Sequence, residues 1–257
     1  MKVALVQFDI VWEDKQANLV YLTQTLNALP DEVNLVVLPE MFTTGFTMNP
    51  ENTAEDFADS PTLAWMQNIA GKNNFAVTGS FIVLENNQYF NRMLFVRPDK
   101  SFVTYDKRHL FSLAGENNKY TAGKNRVITE YMDWKIALQV CYDLRFPVFS
   151  RIVNNDYDLL INVASWPNKR IEAWNILLKA RAVENMSYVV AVNRCGTDVS
   201  GAFYPGHSQV VDYTGDYLAE PFENTAVKIV DLNKEPLQRF RAKLGFLRDA
   251  DDFIIPE

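Results

Sequence analysis

The sequence predicts an α/β domain with layered sheets and helices, on the strength of two observations. Ten short apolar runs, rich in β-branched and aromatic residues, have the length and composition of buried strands. Between several of them, apolar residues recur at helical spacing. Strands and helices alternate early in the chain, and strand follows strand later. This mixture is typical of sheets covered by helices.

The elements follow one another along the chain. The predicted strands are 3–6, 35–38, 75–83, 92–97, 102–105, 136–140, 159–164, 189–192, 209–212 and 227–230. Helices are predicted at 16–28, 60–70 and 170–187. The second has Ser60 as its N-cap and Pro61 as its first residue, and both residue types are favoured there. The segment DYTGDY around Gly215 predicts a hairpin turn.

The bulk composition indicates one globular domain spanning 1–257. The chain has 257 residues, of which 48% are hydrophobic, and no linker, repeat or charge block divides it. A formal charge of −7 argues against binding to nucleic acid or an anionic membrane. No apolar run reaches the ~18 residues that cross a bilayer, and the start lacks signal-peptide features. Two cysteines are too few for a disulfide framework, so we expect a reduced, cytoplasmic setting.

Three reactive side chains follow three of the apolar runs. Glu40 ends NLVVLPE, Lys107 ends SFVTYDK and Cys141 ends KIALQVC. Ligands of open α/β sheets gather beyond the carboxyl ends of strands. If these strands are neighbours, an acid, an amine and a thiol share one pocket.

Each of these residues alone has a simpler interpretation. A cysteine after an apolar run is more often a small buried hydrophobe, and Glu40 could be a solvated residue leaving a strand. Lys107 lies among Asp106, Arg108 and His109, where a charged turn is the default interpretation. Together they suffice for acyl transfer. A thiol needs a base, which a buried glutamate can provide, and a lysine ammonium can stabilise the oxyanion.

Five segments in this order resemble those of the nitrilase superfamily. They are LPEMFTTGF (38–46), YDKRHLF (105–111), CYDLRFP (141–147), ARAVENMSYVV (180–190) and GHSQVVDYTGD (206–216). The resemblance implies a four-layer α-β-β-α sandwich and a hydrolase of carbon–nitrogen bonds. The CYDLRFP segment and the short chain are most similar to the omega-amidase branch. Its members hydrolyse the ω-amides of α-ketoglutaramate and α-ketosuccinamate.

The resemblance also implies roles for individual residues. Glu40 is the general base, Cys141 the nucleophile that forms a thioester, and Lys107 the oxyanion stabiliser together with the backbone N–H of Tyr142. Glu116, seven residues before Gly123 in GENNKYTAG, takes a positioning role. An exposed acid in a polar loop is the competing interpretation of Glu116.

Two further residues are candidates for substrate binding. The guanidinium of Arg145 could bind the carboxylate of such a substrate by donating two parallel hydrogen bonds. An ion pair with Asp143 that shapes the turn is the alternative, and both interpretations stay open at this point. Trp166 follows another apolar run and could line the pocket, although packing is the commoner role of a tryptophan.

Other functions compete with this one. Another amidase, a carbamoyl hydrolase or a nitrilase of the same superfamily would use the same three groups. A non-catalytic scaffold would not need all of them, and a glycosidase pair of Glu40 and Glu116 leaves the cysteine and lysine unexplained.

No metal or cofactor motif is present, so neither is expected. The segment FPVFSRIVNN predicts a short helix, which in the superfamily often contacts a second subunit, so a homodimer is expected.

Overall fold

Two mixed β-sheets lie face to face between two layers of helices. The computed structural model of the chain describes residues 1–254. The helices are α1 (Lys15–Asn27), α2 (Pro50–Thr53), α3 (Pro61–Asn73), α4 (Pro147–Ser150), α5 (Ile171–Asn185) and α6 (Lys234–Leu244). Within the described range, no helix is long and apolar enough to cross a membrane.

The strands form two large sheets and one small one. They are β1 (Lys2–Gln7), β2 (Leu35–Val37), β3 (Glu55–Asp56), β4 (Ala76–Glu85), β5 (Gln88–Val96), β6 (Phe102–Asp106), β7 (Ile128–Tyr131), β8 (Trp134–Val140), β9 (Leu159–Ala164), β10 (Tyr188–Asn193), β11 (Cys195–Thr197), β12 (Phe203–Pro205), β13 (Ser208–Val211), β14 (Tyr217–Phe222) and β15 (Ala226–Asp231).

Each large sheet has a parallel centre and antiparallel flanks. The first sheet has the order β15-β1-β2-β4-β5-β6, with β3 also paired to β4, and the second has the order β14-β13-β10-β9-β8-β7. The strands β1, β2 and β4 are parallel, as are β8, β9 and β10. The ends of β2 and of β8 precede Glu40 and Cys141, respectively.

The main core lies between the sheets and continues under α5. Leu5, Val37 and Phe95 of the first sheet belong to one buried cluster with residues of the second sheet such as Leu138 and Ile161. The same cluster includes three residues of α5, which are Trp174, Leu178 and Ala182. Burying a valine, leucine, isoleucine or phenylalanine side chain contributes about 1.5–3 kcal/mol.

A second cluster covers the outer face of the first sheet. Leu22 and Leu26 of α1 and Met66 and Ile69 of α3 pack there on residues such as Val36. With α5 on the far side of the second sheet, the order of layers is helix, sheet, sheet, helix. The predicted four-layer α-β-β-α sandwich is therefore confirmed.

All ten predicted strands and all three predicted helices are present, within a few residues of their predicted ends. The turn at Gly215, with φ +96°, joins β13 and β14 as predicted. The helix predicted in 146–155 is shorter than expected, because Arg151 is extended (ψ 130°) and ends α4 at Ser150. The helix α6 was not predicted, because it buries only Leu237 and has a proline in its first turn.

Candidate active site

Three strand ends bring the predicted reactive groups together. Lys107 directly follows β6 at the edge of the first sheet, and Cys141 directly follows β8 in the second. Lys107 Nζ lies 2.9 Å from Glu40 Oε1, and the charges of Glu40 and Lys107 both act on the thiol of Cys141. The structure thus brings the predicted acid, amine and thiol together at one place.

Lys107 donates to two carboxylates in a region sealed from solvent. Besides Glu40, it contacts both oxygens of Glu116, at 3.0 and 2.9 Å. Glu40 and Glu116 are 0% exposed and Lys107 is 1% exposed. Burial disfavours the ammonium, but the charges of Glu116 and Glu40 outweigh this effect and raise the pKa of Lys107. Lys107 is thus a cation at neutral pH.

Glu116 is not an exposed acid of a polar loop, so that interpretation is wrong. It begins a one-turn 3-10 helix, Glu116–Asn118, and its Oε2 accepts from the backbone N–H of Phe111 at 2.5 Å. Burial and the charge of Glu40 raise its pKa, whereas Lys107 lowers it. The ammonium of Lys107 contacts both carboxylates and so offsets the repulsion between their negative charges.

Gly123 explains how this loop stays close to the lysine. Its N–H donates to the carbonyl of Lys107 at 2.9 Å. A Cβ at position 123 would lie 2.0 Å from the carbonyl oxygen of Asp106, which no side chain tolerates. Only glycine fits against the end of β6, and this contact ties the loop of Glu116 to Lys107.

Two further groups hold Glu40 and were not predicted. The backbone N–H of Ser165, just after β9, donates to Oε2 of Glu40 at 2.8 Å. Asn91 Nδ2 donates to Oε1 of Glu40 at 2.8 Å and to Oε1 of Glu116 at 3.3 Å. The only sequence signal for Asn91 is a polar residue in a strand whose neighbours are buried. Ser165 acts through its backbone and leaves no signal.

Cys141 occupies a strained backbone conformation. Its φ of +48° lies in the left-handed region, which costs a non-glycine residue roughly 1–3 kcal/mol. The residue begins the 3-10 helix Cys141–Arg145, and 9% of its surface is exposed. Burial and then the negative charge of Glu40 raise the pKa of the thiol, although Lys107 lowers it. Cys141 is therefore a neutral thiol beside a carboxylate.

A cavity of about 750 Å³ opens at Cys141. Its lining includes Cys141, Tyr142, Arg145, Trp166, Phe111 and Tyr204. The guanidinium carbon of Arg145 lies 4.9 Å from the centre of the Trp166 ring. Among residues 1–254, Arg145 has no carboxylate within ion-pair distance.

The predicted alternative of an Arg145–Asp143 ion pair is wrong. Both oxygens of Asp143 accept hydrogen bonds from Val140, Tyr105 and His109 instead. The positive charge of Arg145 is therefore directed to the cavity rather than to the turn that carries it.

Trp166 combines packing with a place on the cavity wall. It is 3% exposed, its ring centre lies 5.4 Å from that of Trp174, and its indole N–H donates to the carbonyl of Arg170. Tyr142 also borders the cavity, with its ring edge-on to Phe111. Its backbone N–H is at the second residue of the 3-10 helix, where helical hydrogen bonds do not use it.

The chemistry available here is that of a nucleophile with a base and a fixed cation. A neutral thiol, a carboxylate that can accept its proton and an ammonium beside them fit covalent acyl transfer. In the described part of the chain, no group of three or more histidine, cysteine, aspartate or glutamate side chains could hold a metal ion.

Comparison with known protein families gives one match over most of the chain. Residues 2–242 match the model of the carbon-nitrogen hydrolase family. The chain belongs to the carbon-nitrogen hydrolase family. Among relatives of this carbon-nitrogen hydrolase, omega-amidase YafV of Yersinia enterocolitica is 40% identical over 99% of this chain and 98% of its own. A 2-oxoglutaramate amidase of Bacillus subtilis is 30% identical over 85% of each chain.

Solved structures of the same superfamily share its architecture. A carbon-nitrogen hydrolase superfamily protein from Xanthomonas campestris, with an arsenic adduct in its active site, is 39% identical with a TM-score of 0.97. That likeness covers 100% of this chain and 99% of the other. An amidase mutant from Nesterenkonia sp. AN1, with acrylamide added at its active-site cysteine, is 25% identical with a TM-score of 0.83. It covers 96% of this chain and 98% of its own.

Proposed function

We propose that this carbon-nitrogen hydrolase is an omega-amidase for short keto-dicarboxylate monoamides. Its substrates would be 2-oxoglutaramate (α-ketoglutaramate) and α-ketosuccinamate, and the products the free acid and ammonia. The relatives named omega-amidase and 2-oxoglutaramate amidase support this substrate class. The observation that carries the reaction type is the buried contact of Lys107 with two carboxylates beside the thiol of Cys141.

The first half of the reaction forms a thioester. Glu40 takes the proton of the thiol while the sulfur of Cys141 attacks the amide carbon. The oxyanion of the tetrahedral intermediate is stabilised by the ammonium of Lys107 and the backbone N–H of Tyr142. One such donor is typically worth about 2.7–4 kcal/mol. Glu40 then gives the proton to the nitrogen, the carbon–nitrogen bond breaks and ammonia leaves.

The second half restores the enzyme. Glu40 takes a proton from water, and the resulting hydroxyl attacks the thioester carbon. The same donors stabilise the second oxyanion. The carbon–sulfur bond then breaks, Glu40 returns the proton to the sulfur, and the acid leaves. Each group ends in its starting protonation state, so no further reactant is required.

Glu116 has a supporting role in this proposal. Its two oxygens hold Lys107 Nζ at 3.0 and 2.9 Å. A lysine side chain is flexible, and a second carboxylate fixes its ammonium at one place without contacting the reacting atoms. Glu116 therefore positions Lys107, and the ammonium carries out the stabilisation.

Arg145 is proposed to bind the carboxylate at the far end of the substrate. Its guanidinium lies at the cavity on the face of Trp166, with no carboxylate partner among residues 1–254. A planar guanidinium can donate two parallel hydrogen bonds to a carboxylate, which fixes the distance to the scissile carbon. Trp166 and Tyr142 would complete the wall around the substrate.

We expect Arg145→Lys to raise KM for keto-acid amides far more than for uncharged amides. Loss of a charged hydrogen bond of about 1.5–3 kcal/mol corresponds to roughly 10- to 150-fold in KM. The control is a simple aliphatic amide assayed with the same variant. Equal losses on both substrates would assign Arg145 to the structure of the turn.

The proposed function is tested by ammonia release and by mass measurement. Wild type is assayed with 2-oxoglutaramate, a nitrile, an N-carbamoyl amino acid and a simple amide, and we expect 2-oxoglutaramate to be the preferred substrate. Rapid quenching should give a thioester adduct on wild type and none on Cys141→Ala. Activity confined to the other three compounds would exclude an omega-amidase, and an adduct on Cys141→Ala would exclude this nucleophile.

We also propose a cytoplasmic homodimer. Both cysteines are buried free thiols, which suits a reducing compartment. The exposed Val148 on α4 supports a subunit contact at that short helix. Sedimentation of the purified protein tests the dimer, since a monomer at micromolar concentration would contradict it.

A further inference from the structure

A fully buried aspartate lies two residues after Cys141. Asp143 is 0% exposed, yet it lines no part of the cavity. Its Oδ2 accepts from the hydroxyl of Tyr105 at 2.6 Å and from the backbone N–H of Val140 at 3.0 Å. Its Oδ1 accepts from the backbone N–H of His109 at 2.9 Å and from His109 Nδ1 at 2.7 Å. A carboxylate only accepts, so Nδ1 carries the hydrogen.

These four donors belong to two different segments of the site. Tyr105 and His109 stand two residues on either side of Lys107, in the first sheet and just beyond it. Val140 is the last residue of β8 and immediately precedes Cys141 in the second sheet. One carboxylate thus bonds the segment that bears the ammonium and the turn that bears the thiol.

Further contacts keep this connection rigid. The ring of His109 stacks on that of Phe146 at 3.7 Å between centres and 7° between planes, and Phe146 caps the turn of Cys141. Burial and the charge of Asp143 raise the pKa of Tyr105 well above its usual range, so its hydroxyl stays a donor. Hydrogen bonds that a fully buried carboxylate accepts are strong and directional.

We propose that Asp143 is a positioning residue that sets the place of Lys107 relative to Cys141. The ammonium and the thiol come from different sheets, and Cys141 is held in a strained conformation. A shift of about 1 Å between reacting groups can cost about 100-fold in rate. Asp143 prevents such a shift through Tyr105 and His109 on one side and Val140 on the other. This inference rests on the proposed function for the roles of Lys107 and Cys141.

The test compares kcat and KM of four variants with wild type. Asp143→Asn keeps the shape of the side chain but replaces one acceptor oxygen by an NH2 group, which then faces groups that themselves donate. Tyr105→Phe removes one hydroxyl. His109→Asn keeps a donor where Nδ1 lies, whereas His109→Leu removes it. We expect Asp143→Asn to lower kcat roughly 10- to 100-fold with KM changed less than about 2-fold. Tyr105→Phe should lower kcat less, and His109→Asn should exceed His109→Leu in kcat.

A buried carboxylate elsewhere in the chain provides the matched control. Glu55 is 5% exposed and accepts from Ser60 Oγ and from the N–H and hydroxyl of Thr62, outside the cavity. Glu55→Gln should lower the free energy of unfolding without lowering kcat. An equal fall of kcat in Glu55→Gln and Asp143→Asn at equal stability would overturn the proposal. So would equal kcat values of His109→Asn and His109→Leu. If Asp143→Asn does not fold, the histidine pair and Tyr105→Phe decide.

The substrate panel separates this inference from the proposed function. If wild type hydrolyses the nitrile or the simple amide but not 2-oxoglutaramate, the omega-amidase proposal fails. The kcat ratios are then measured on the accepted substrate and still decide the role of Asp143. Failure of the ratios on 2-oxoglutaramate itself would overturn the positioning role alone. A wild type that hydrolyses none of the four compounds would overturn both.

Discussion

Three buried charged side chains of the site place one cation between two anions. Lys107 is 1% exposed and contacts Glu40 and Glu116 at 2.9 Å each. Taking these charges out of water is costly, and their mutual contacts offset that cost only while all three are present. The site therefore depends on its lysine for stability as well as for chemistry.

We expect Lys107→Met to make the free energy of unfolding fall as pH rises. Burial already raises the pKa of Glu116 and Lys107 lowers it, so removal of Lys107 raises this pKa further. The folded variant then holds a proton that the unfolded chain releases above its pKa of about 4.3. The stabilisation that comes from this proton is fully present below that pH. It is lost as the pH rises from there through the folded pKa of Glu116, by up to about 1.4 kcal/mol per pH unit.

Denaturant unfolding at about pH 5 and pH 7.5 measures this effect. The control is Lys119→Met, because the pair of Lys119 with Glu51 is exposed and should change stability by less than about 0.5 kcal/mol. If the difference between Lys107→Met and wild type is the same at both pH values, Glu116 does not take up the proton.

Some residues of the site were predictable from the sequence and others were not. Glu40, Lys107 and Cys141 could be found because each follows an apolar run and stands in a recognisable segment. Asn91 could not, because its role depends on pairing with residues far along the chain. The Arg145–Asp143 pair was wrong because Asp143 has closer donors in Tyr105 and His109, which sequence distance hides.

The helix α5 supports the turn of Cys141 from the outer layer. Arg181, buried in α5, donates from Nη2 to the carbonyl of Leu144 at 2.6 Å. Asn185 of the same helix accepts from the backbone N–H of Ile152 at 2.9 Å. The apolar stripe predicted the helix, but these polar contacts specify where the turn lies against it.

We expect Arg181→Met to destabilise the protein by about 1–3 kcal/mol, since it leaves the carbonyl of Leu144 without its donor. The turn holds Cys141, so kcat should fall more than KM rises. Urea unfolding and steady-state kinetics measure both effects. The control is Arg239→Met, which removes an exposed ion pair with Glu235 on α6 and should change neither quantity appreciably. Identical behaviour of the two variants would show that α5 does not support the turn.

In the protein as a whole, the two large sheets share one core, and the first sheet combines strands from both ends of the chain. Leu5 and Phe95 of the first sheet pack in the same cluster as Leu138 and Ile161 of the second. The strands were predictable from their apolar runs, but their order across two sheets was not, because neighbours such as β15 and β1 lie at opposite ends of the chain. The single-domain organisation over 1–257 stays a prediction.

Two core variants test that organisation. Leu22→Ala in the cluster under α1 and Leu178→Ala in the cluster under α5 each create a cavity at a fully buried position. Each should cost about 2–5 kcal/mol. If the chain is one domain, both variants shift the same cooperative unfolding transition, measured by calorimetry and by circular dichroism. Two transitions, each sensitive to one variant only, would indicate two domains.

The left-handed backbone at Cys141 has a consequence for how this protein tolerates change. Glycine adopts a φ of +48° without a steric penalty, whereas alanine at that position carries strain from its Cβ. Cys141→Gly should therefore melt at a higher temperature than Cys141→Ala, although neither is active. Glycine would therefore give a more stable protein at the position where the proposed nucleophile stands, so selection for stability alone would remove this side chain.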